Sequence, residues 1–249
     1  MLITPPFGRL LTAMVTPFKP DLSIDWAGVE KLANHLISTG HDGIVVNGTT
    51  GEAPTTSDDE KLEIIKVVKK AVAGKAKVIA GAGNNETSHS VEQAKWAADA
   101  GADGLLVVTP YYNKPNQAGL FQHFAKIANE VAIDQILYNV PSRTGCDLKN
   151  DTVLKLSDIP NIVGIKDATG DITRGIDLIK RLPAHFSVIS GDDATALSLM
   201  LLGGKASFLL PQMLPLNLCM KCMHVSPPNR MKKQLRLTNN YSLFTQIYL

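Results

Sequence analysis

The sequence predicts an α/β chain folded as a (β/α)8 barrel. Three observations carry this: short Val- and Ile-rich runs recur along the chain, segments of helical spacing separate them, and polar residues gather where the runs end. Nearly continuous apolar runs suit parallel strands buried on both faces. The competing doubly wound sheet would place a Gly-x-Gly-x-x-Gly after its first strand, and none is there.

Strands are predicted over 10–15, 43–46, 77–80, 104–108, 135–138, 162–166 and 187–190. The first helix, over 25–39, sets Trp26, Val29, Leu32, Ala33 and Leu36 on one stripe. The second, over 58–73, does the same with Leu62, Ile65, Val68 and Val72. Ser57 before it is an N-cap with Glu60 three residues on. Helical spacing continues over 88–100, 117–131, 151–156, 172–182 and 194–202. The polar strand ends are Asn47 to Glu52, Gly81 to Asn85, Thr109 to Tyr112, Tyr138-Asn139, Lys166-Asp167 and Gly191 to Asp193. A barrel brings all of these to one face, where such folds keep their chemistry.

With 249 residues, 45% of them hydrophobic and 19% charged, the chain has enough apolar content for one sizeable core. No apolar run reaches the ~20 residues that span a bilayer, and no charged segment leads into an apolar signal core, so a cytoplasmic protein without a membrane partner is expected. Cys146, Cys219 and Cys222 are too few for a disulfide framework. Residues 206–249 hold Lys221, Arg230, Lys232, Lys233 and Arg236 and no acid. That gives +5 within a chain of +2 and leaves −3 for the rest. Such a tail can serve a nucleic acid or an acidic membrane surface.

The residue that stands out is Lys166, which ends the run Ile162-Val163-Gly164-Ile165. Desolvation there disfavours the ammonium and leaves free amine to attack a carbonyl. A strand-end lysine can equally snorkel into solvent. Tyr138 ends the preceding strand and is a barrel neighbour able to shuttle protons. Thr49 and Thr50 end the second strand, where hydroxyls and backbone N–H groups hold a small carboxylate or simply close a turn.

Gly48-Thr49-Thr50-Gly51-Glu52, Tyr138-Asn139-Val140-Pro141-Ser142-Arg143-Thr144-Gly145 and Gly164-Ile165-Lys166-Asp167-Ala168-Thr169-Gly170 together closely resemble the dihydrodipicolinate synthases, pyruvate-dependent class I aldolases. The resemblance runs from about Leu10 to Lys205. It implies a TIM barrel, in a homotetramer, that condenses pyruvate with aspartate semialdehyde in lysine and diaminopimelate biosynthesis. Lys166 would form the Schiff base, Tyr138, Thr49 and Tyr112 the proton relay, with Tyr112 reaching a neighbouring subunit's site. Thr50 would hold the pyruvate carboxylate, Arg143 the carboxylate of the aldehyde, and Gly191 would offer its backbone at the mouth. No metal or organic cofactor is implied, because the imine is the electron sink. Sialic acid lyase shares the lysine and tyrosine but lacks the arginine, so Arg143 favours the synthase. At the lysine-binding interface of many bacterial members, Asn85 and Tyr111 match. Asp58, Lys61 and His89 differ, and Lys61 puts a cation where the effector's own charge would sit. Weak or absent feedback inhibition is expected.

After Lys205 the family continues with a strand of the type Gly-x-Ile-Ser-Val-Thr-Ala-Asn-Val, whereas this chain reads Ala206-Ser207-Phe208-Leu209-Leu210-Pro211. Synonymous codons can be chosen for residues 206–217 so that one restored G after Lys205 gives Gly-Ile-Ile-Ser-Val-Thr-Ala-Asn-Val-Ala-Pro-Lys. The expectation is therefore a barrel body over 1–205 and a frameshifted tail over 206–249. The basic charge and the Cys219-Met220-Lys221-Cys222 motif of that tail then carry no selected meaning, and no nucleic-acid partner is expected. The eighth strand and C-terminal helices are expected to be altered or lost. Two readings follow: an active synthase whose tail replaces strand eight, or a non-catalytic remnant with an unclosed barrel.

Overall fold

The computed structural model of the chain describes residues 5–209. Eight parallel strands close into a barrel in the order of the sequence, each pairing with the next and the last with the first. The strands are β1 (Leu10–Ala13), β2 (Gly43–Val46), β3 (Lys77–Gly81), β4 (Gly104–Val108), β5 (Gln135–Asn139), β6 (Ile162–Asp167), β7 (Ser187–Ser190) and β8 (Ala206–Leu209). The helices are α1 (Trp26–Ser38), α2 (Asp58–Val72), α3 (Thr87–Asp99), α4 (Gln117–Glu130), α5 (Pro141–Thr144), α6 (Asn150–Leu156), α7 (Ile172–Arg181) and α8 (Asp193–Leu201).

Side-chain caps set the starts of the first two helices. The Asp25 carboxylate accepts from the Gly28 N–H at 3.0 Å, and Ser57 and Glu60 form a reciprocal capping box at 3.2 and 2.7 Å. Two one-turn pieces escape periodicity, a 3₁₀ turn over Ala53–Thr55 and α5, because so few residues show no stripe. β1 stops two residues short of the predicted run. Met14 still donates to the Val45 carbonyl at 2.9 Å, and the chain then turns so that the Thr16 hydroxyl donates to Gly51 O at 2.6 Å.

Strand eight was expected to be altered or lost, and it is not lost. Although its residues depart from the pattern expected after Lys205, the strand is present. β8 pairs with β7 through Ile189↔Ala206 and Ser190↔Ser207, and with β1 through Leu10↔Ser207, Leu11↔Phe208 and Thr12↔Leu209. The reason is that ladder bonds come from main-chain groups, and any apolar segment without proline can supply them to two waiting edges. Pro211, the expected loss of the C-terminal helices, and Cys219 and Cys222 lie outside the described residues.

Two apolar layers result. Leu11, Val45, Ile79, Leu106, Ile136, Ile189, Ala206 and Phe208 fill the barrel, with Phe7 closing its lower end. A Cβ at Gly104 would lie 2.3 Å from the Phe7 ring, so that plug requires glycine. The second layer lies between strands and helices and includes Val29, Leu36, Ile64, Val68, Phe124, Ile165 and Leu178. At the lower rim carboxylates tie strand starts together: Asp42 accepts from Arg9 N and Leu10 N at 2.8 and 3.0 Å, and Asp103 from Val78 N and Lys69 Nζ, both at 2.8 Å.

One buried ionisable group sits in the outer layer. His123 on α4 is 4% exposed, its Nδ1 lies 2.9 Å from the Thr87 hydroxyl, and its Nε2 has no partner among the described residues. Burial pushes its pKa down to about 4. The unfolded chain therefore takes up a proton near pH 6.5 that the folded chain refuses until about 4, and stability falls across that window. Urea unfolding at pH 7 and 4.5 checks this. His123→Leu is expected to lose about 2–3 kcal/mol less between those pH values than the unaltered chain does. Equal losses would contradict it.

Candidate active site

The upper rim gathers the polar strand ends, and Lys166 stands at its centre on β6 with 7% of its surface exposed. Its Nζ lies 4.2 Å from the centroid of the Tyr138 ring and 4.6 Å from that of Phe208. Burial lowers the ammonium pKa from 10.5 to about 8; the Asp193 carboxylate opposes this and the Arg143 guanidinium adds to it. At pH 8 about half of the amine is therefore free, where an ordinary lysine is almost wholly protonated. The snorkelling alternative does not hold.

Tyr138 is adjacent because β5 and β6 pair in register, Tyr138 opposite Lys166. Burial raises its phenol pKa, while a hydrogen bond with the Thr49 side chain and the charge of Arg143 act against that rise. Thr49 belongs to a tight turn in which Gly51 N donates to Gly48 O at 3.0 Å and Glu52 N to Thr49 O at 3.1 Å. Asn47 and Glu52, both at φ 56°, bracket this turn. Arg143 is exposed and lines a cavity of about 300 Å³ together with Thr49, Tyr138 and Thr144. A single turn of α5, begun by Pro141 and stopped by Gly145 at φ 66°, carries the arginine. Gly191 meets the lysine closely: a Cβ there would lie 2.9 Å from Lys166 Cε.

The structure thus brings Lys166, Tyr138, Thr49, Arg143 and Gly191 together. Thr50 is half-buried in the same turn as Thr49. Tyr112 is not brought to the amine of its own chain; it is 88% exposed at φ 71°, an unusual conformation for a bulky side chain. The cavity also runs on to Lys61, Asn84, Gln93 and Tyr111. There Lys61 Nζ is paired to Asp58 at 3.0 Å, with His89 Nε2 3.7 Å from the same carboxylate. Among the described residues no group of three or more His, Cys, Asp or Glu is placed to hold a metal ion.

Sequence reasoning missed a cradle behind the lysine. Asp167, 6% exposed, lies 3.5 Å from Arg174 Nε, accepts from Asn139 Nδ2 at 3.3 Å and from the Thr169 hydroxyl at 2.9 Å. Asn139 and Arg174 both donate to Asp147, at 3.0 and 2.9 Å, and Arg174 also donates to Leu148 O. Burial raises the Asp167 pKa even so, with Arg174 the largest counterweight. Only a register with α7 in place could reveal Arg174. Asp193 was visible as part of a polar strand end, without a role, and Phe208 lay in a strand whose presence was in question.

The cradle is testable by a double-mutant cycle. Arg174→Met leaves a buried carboxylate without its cation and is expected to cost about 3 kcal/mol in chemical denaturation. In the Asp167→Asn background the same change should cost at least about 1 kcal/mol less. Additive losses would contradict a direct pairing.

Residues 6–208 match the model of the dihydrodipicolinate synthetase family. The chain is 50% identical over 197 residues to a 4-hydroxy-tetrahydrodipicolinate synthase of Herminiimonas arsenicoxydans, covering 79% of this chain and 68% of that one. It is 53% identical over 194 residues to the enzyme of that name from Nitrosospira multiformis, covering 78% of this chain and 65% of that one. The chain therefore spans about two thirds of the length of these relatives. Among solved structures, DHDPS from Cyanidioschyzon merolae with lysine bound superposes with a TM-score of 0.92 at 39% identity, covering 99% of this chain and 85% of that one. The chloride-inhibited dihydrodipicolinate synthase of Acinetobacter baumannii complexed with pyruvate gives 0.88 at 43%, covering 96% and 83%. With the family match running over most of its length, the chain belongs to the dihydrodipicolinate synthetase family.

Proposed function

We propose that the chain is a 4-hydroxy-tetrahydrodipicolinate synthase that condenses pyruvate with aspartate semialdehyde through a Schiff base on Lys166. The observation that carries this is a buried amine with a pKa near 8 at the rim of a closed barrel. The free amine adds to the carbonyl carbon of pyruvate, and loss of water leaves an imine. The imine draws electrons from the methyl carbon, a proton leaves, and the resulting enamine carbon attacks the aldehyde. Tyr138, hydrogen-bonded to Thr49, is the proton carrier in reach of the amine. Thr50 and the turn around it hold the pyruvate carboxylate, Arg143 at the cavity wall holds that of the aldehyde, and Gly191 leaves room for the lysine. The Arg143 position favours the synthase over a sialic acid lyase.

Closure of the barrel supports an active enzyme over a non-catalytic remnant. The exposed, strained Tyr112 supports a homo-oligomer in which this ring completes a neighbour's site. A cytoplasmic place in lysine and diaminopimelate synthesis follows from the reaction; among the described residues no helix is long and apolar enough to cross a membrane. The Lys61 cation at the far end of the cavity, although paired to Asp58, supports weak feedback by lysine. The tail over 206–249 is proposed to be frameshifted, a reading supported by the family match ending at residue 208.

Borohydride reduction with pyruvate tests the chemistry. A mass increase is expected on the peptide holding Lys166, its rate rising as pH climbs through about 8, and none in Lys166→Ala. An unmodified Lys166 would overturn the Schiff base. In steady state Arg143→Ala is expected to raise KM for aspartate semialdehyde about tenfold or more, with that for pyruvate little changed. Equal rises would remove Arg143 from second-substrate binding.

A further inference from the structure

The Lys166 amine has a second aromatic neighbour that no role yet explains. Phe208 is 3% exposed and sits in the barrel interior, held by pairing with Leu11 of β1 and by Ala206 and Ile189 beside it. Its ring centroid is 4.6 Å from Nζ while that of Tyr138 is 4.2 Å away, so the amine lies within cation–π range of two rings at once. The segment that supplies this ring is the one expected from the sequence to depart from the family pattern, and the family match reaches just as far as the ring itself. A ring face does two opposite things to an amine. Its bulk excludes water, which disfavours the ammonium, and its quadrupole attracts the ammonium.

We propose that Phe208 is a positioning residue that clamps the Lys166 amine against the Tyr138 ring and limits how far burial favours the neutral form. The proposal rests on Lys166 being the nucleophile. The charged and titratable groups facing the amine from its neighbours are Tyr138 on β5, Arg143 on α5 and Asp193 on α8. Asp167, next in the chain, is occupied by Arg174, Asn139 and Thr169. Neither β7 nor β8 brings a charged side chain to the amine among the described residues: Ile189 and, just past the strand end, Gly191 come from the one, Ala206 and Phe208 from the other. Removing the ring face while keeping an apolar wall should therefore lower the titration midpoint. Removing the whole side chain should admit water and raise it.

Trace labelling with acetic anhydride across a pH series, read at Lys166 by peptide mass spectrometry, gives that midpoint without pyruvate and without turnover. Phe208→Leu is expected to move it down by about 0.5 to 1.5 pH units. Phe208→Ala is expected to move it up, and Phe208→Tyr to leave it near that of the unaltered chain. Unfolding would move the midpoint up, so a misfolded Phe208→Leu cannot imitate the expected result. An unchanged or raised midpoint in Phe208→Leu overturns the proposal, as does a Lys166 that stays unlabelled at every pH. Borohydride trapping with pyruvate on the same proteins separates the two claims. A shifted midpoint without a trapped adduct leaves Phe208 in place and removes the Schiff base.

Discussion

Closure between β1 and β8 rests on a few main-chain hydrogen bonds and on the inward side chains of Ala206 and Phe208. The Lys166 amine stays dry only while that seam holds. An open barrel would give water a path along the gap to Nζ and return the ammonium toward its ordinary pKa. It would also leave β1 and β7 with unpaired edges, exposed to association with other chains. The burial of the lysine and the Phe208 ring beside it thus depend on one short strand.

Around the amine the contributions oppose one another, and their magnitudes decide the outcome. Burial is the largest, Asp193 opposes it, Arg143 adds to it, and the net fall to about 8 corresponds to about 3 kcal/mol against the charged form. Tyr138 experiences the same burial in the opposite sense, since a phenol resists losing its proton there. One dry pocket therefore yields a freer amine and a firmer phenol side by side. The cradle of Asp167, Arg174, Asn139 and Asp147 fixes the end of β6 without touching the amine, so geometry and electrostatics are set by different residues.

Much of this was legible in the sequence because it is local. Strand runs such as 104–108 and the Ser57–Glu60 cap read directly, since periodicity and capping involve residues near one another in the chain. Lys166 and Tyr138 were legible as apolar strand ends, and barrel order makes consecutive strand ends neighbours. The one-turn α5 under Arg143 was not, for want of a period, and the arginine was recognised only through the family resemblance. Arg174 was illegible because its partner lies on another element and only the packing of α7 joins them. Phe208 was hidden for a different reason: whether its segment would pair at all is a matter of main-chain geometry that side-chain identity does not announce.

Hydrogen exchange across the seam tests the closed barrel most directly. In the intact chain the β1 amides and the Ser207 amide, which donates to Arg9 O at 3.1 Å, are expected to exchange as slowly as those of β2 and β3. β1 and β8 amides that exchange orders of magnitude faster than the central strands would show an open seam, and would contradict the account of Lys166 as a desolvated nucleophile.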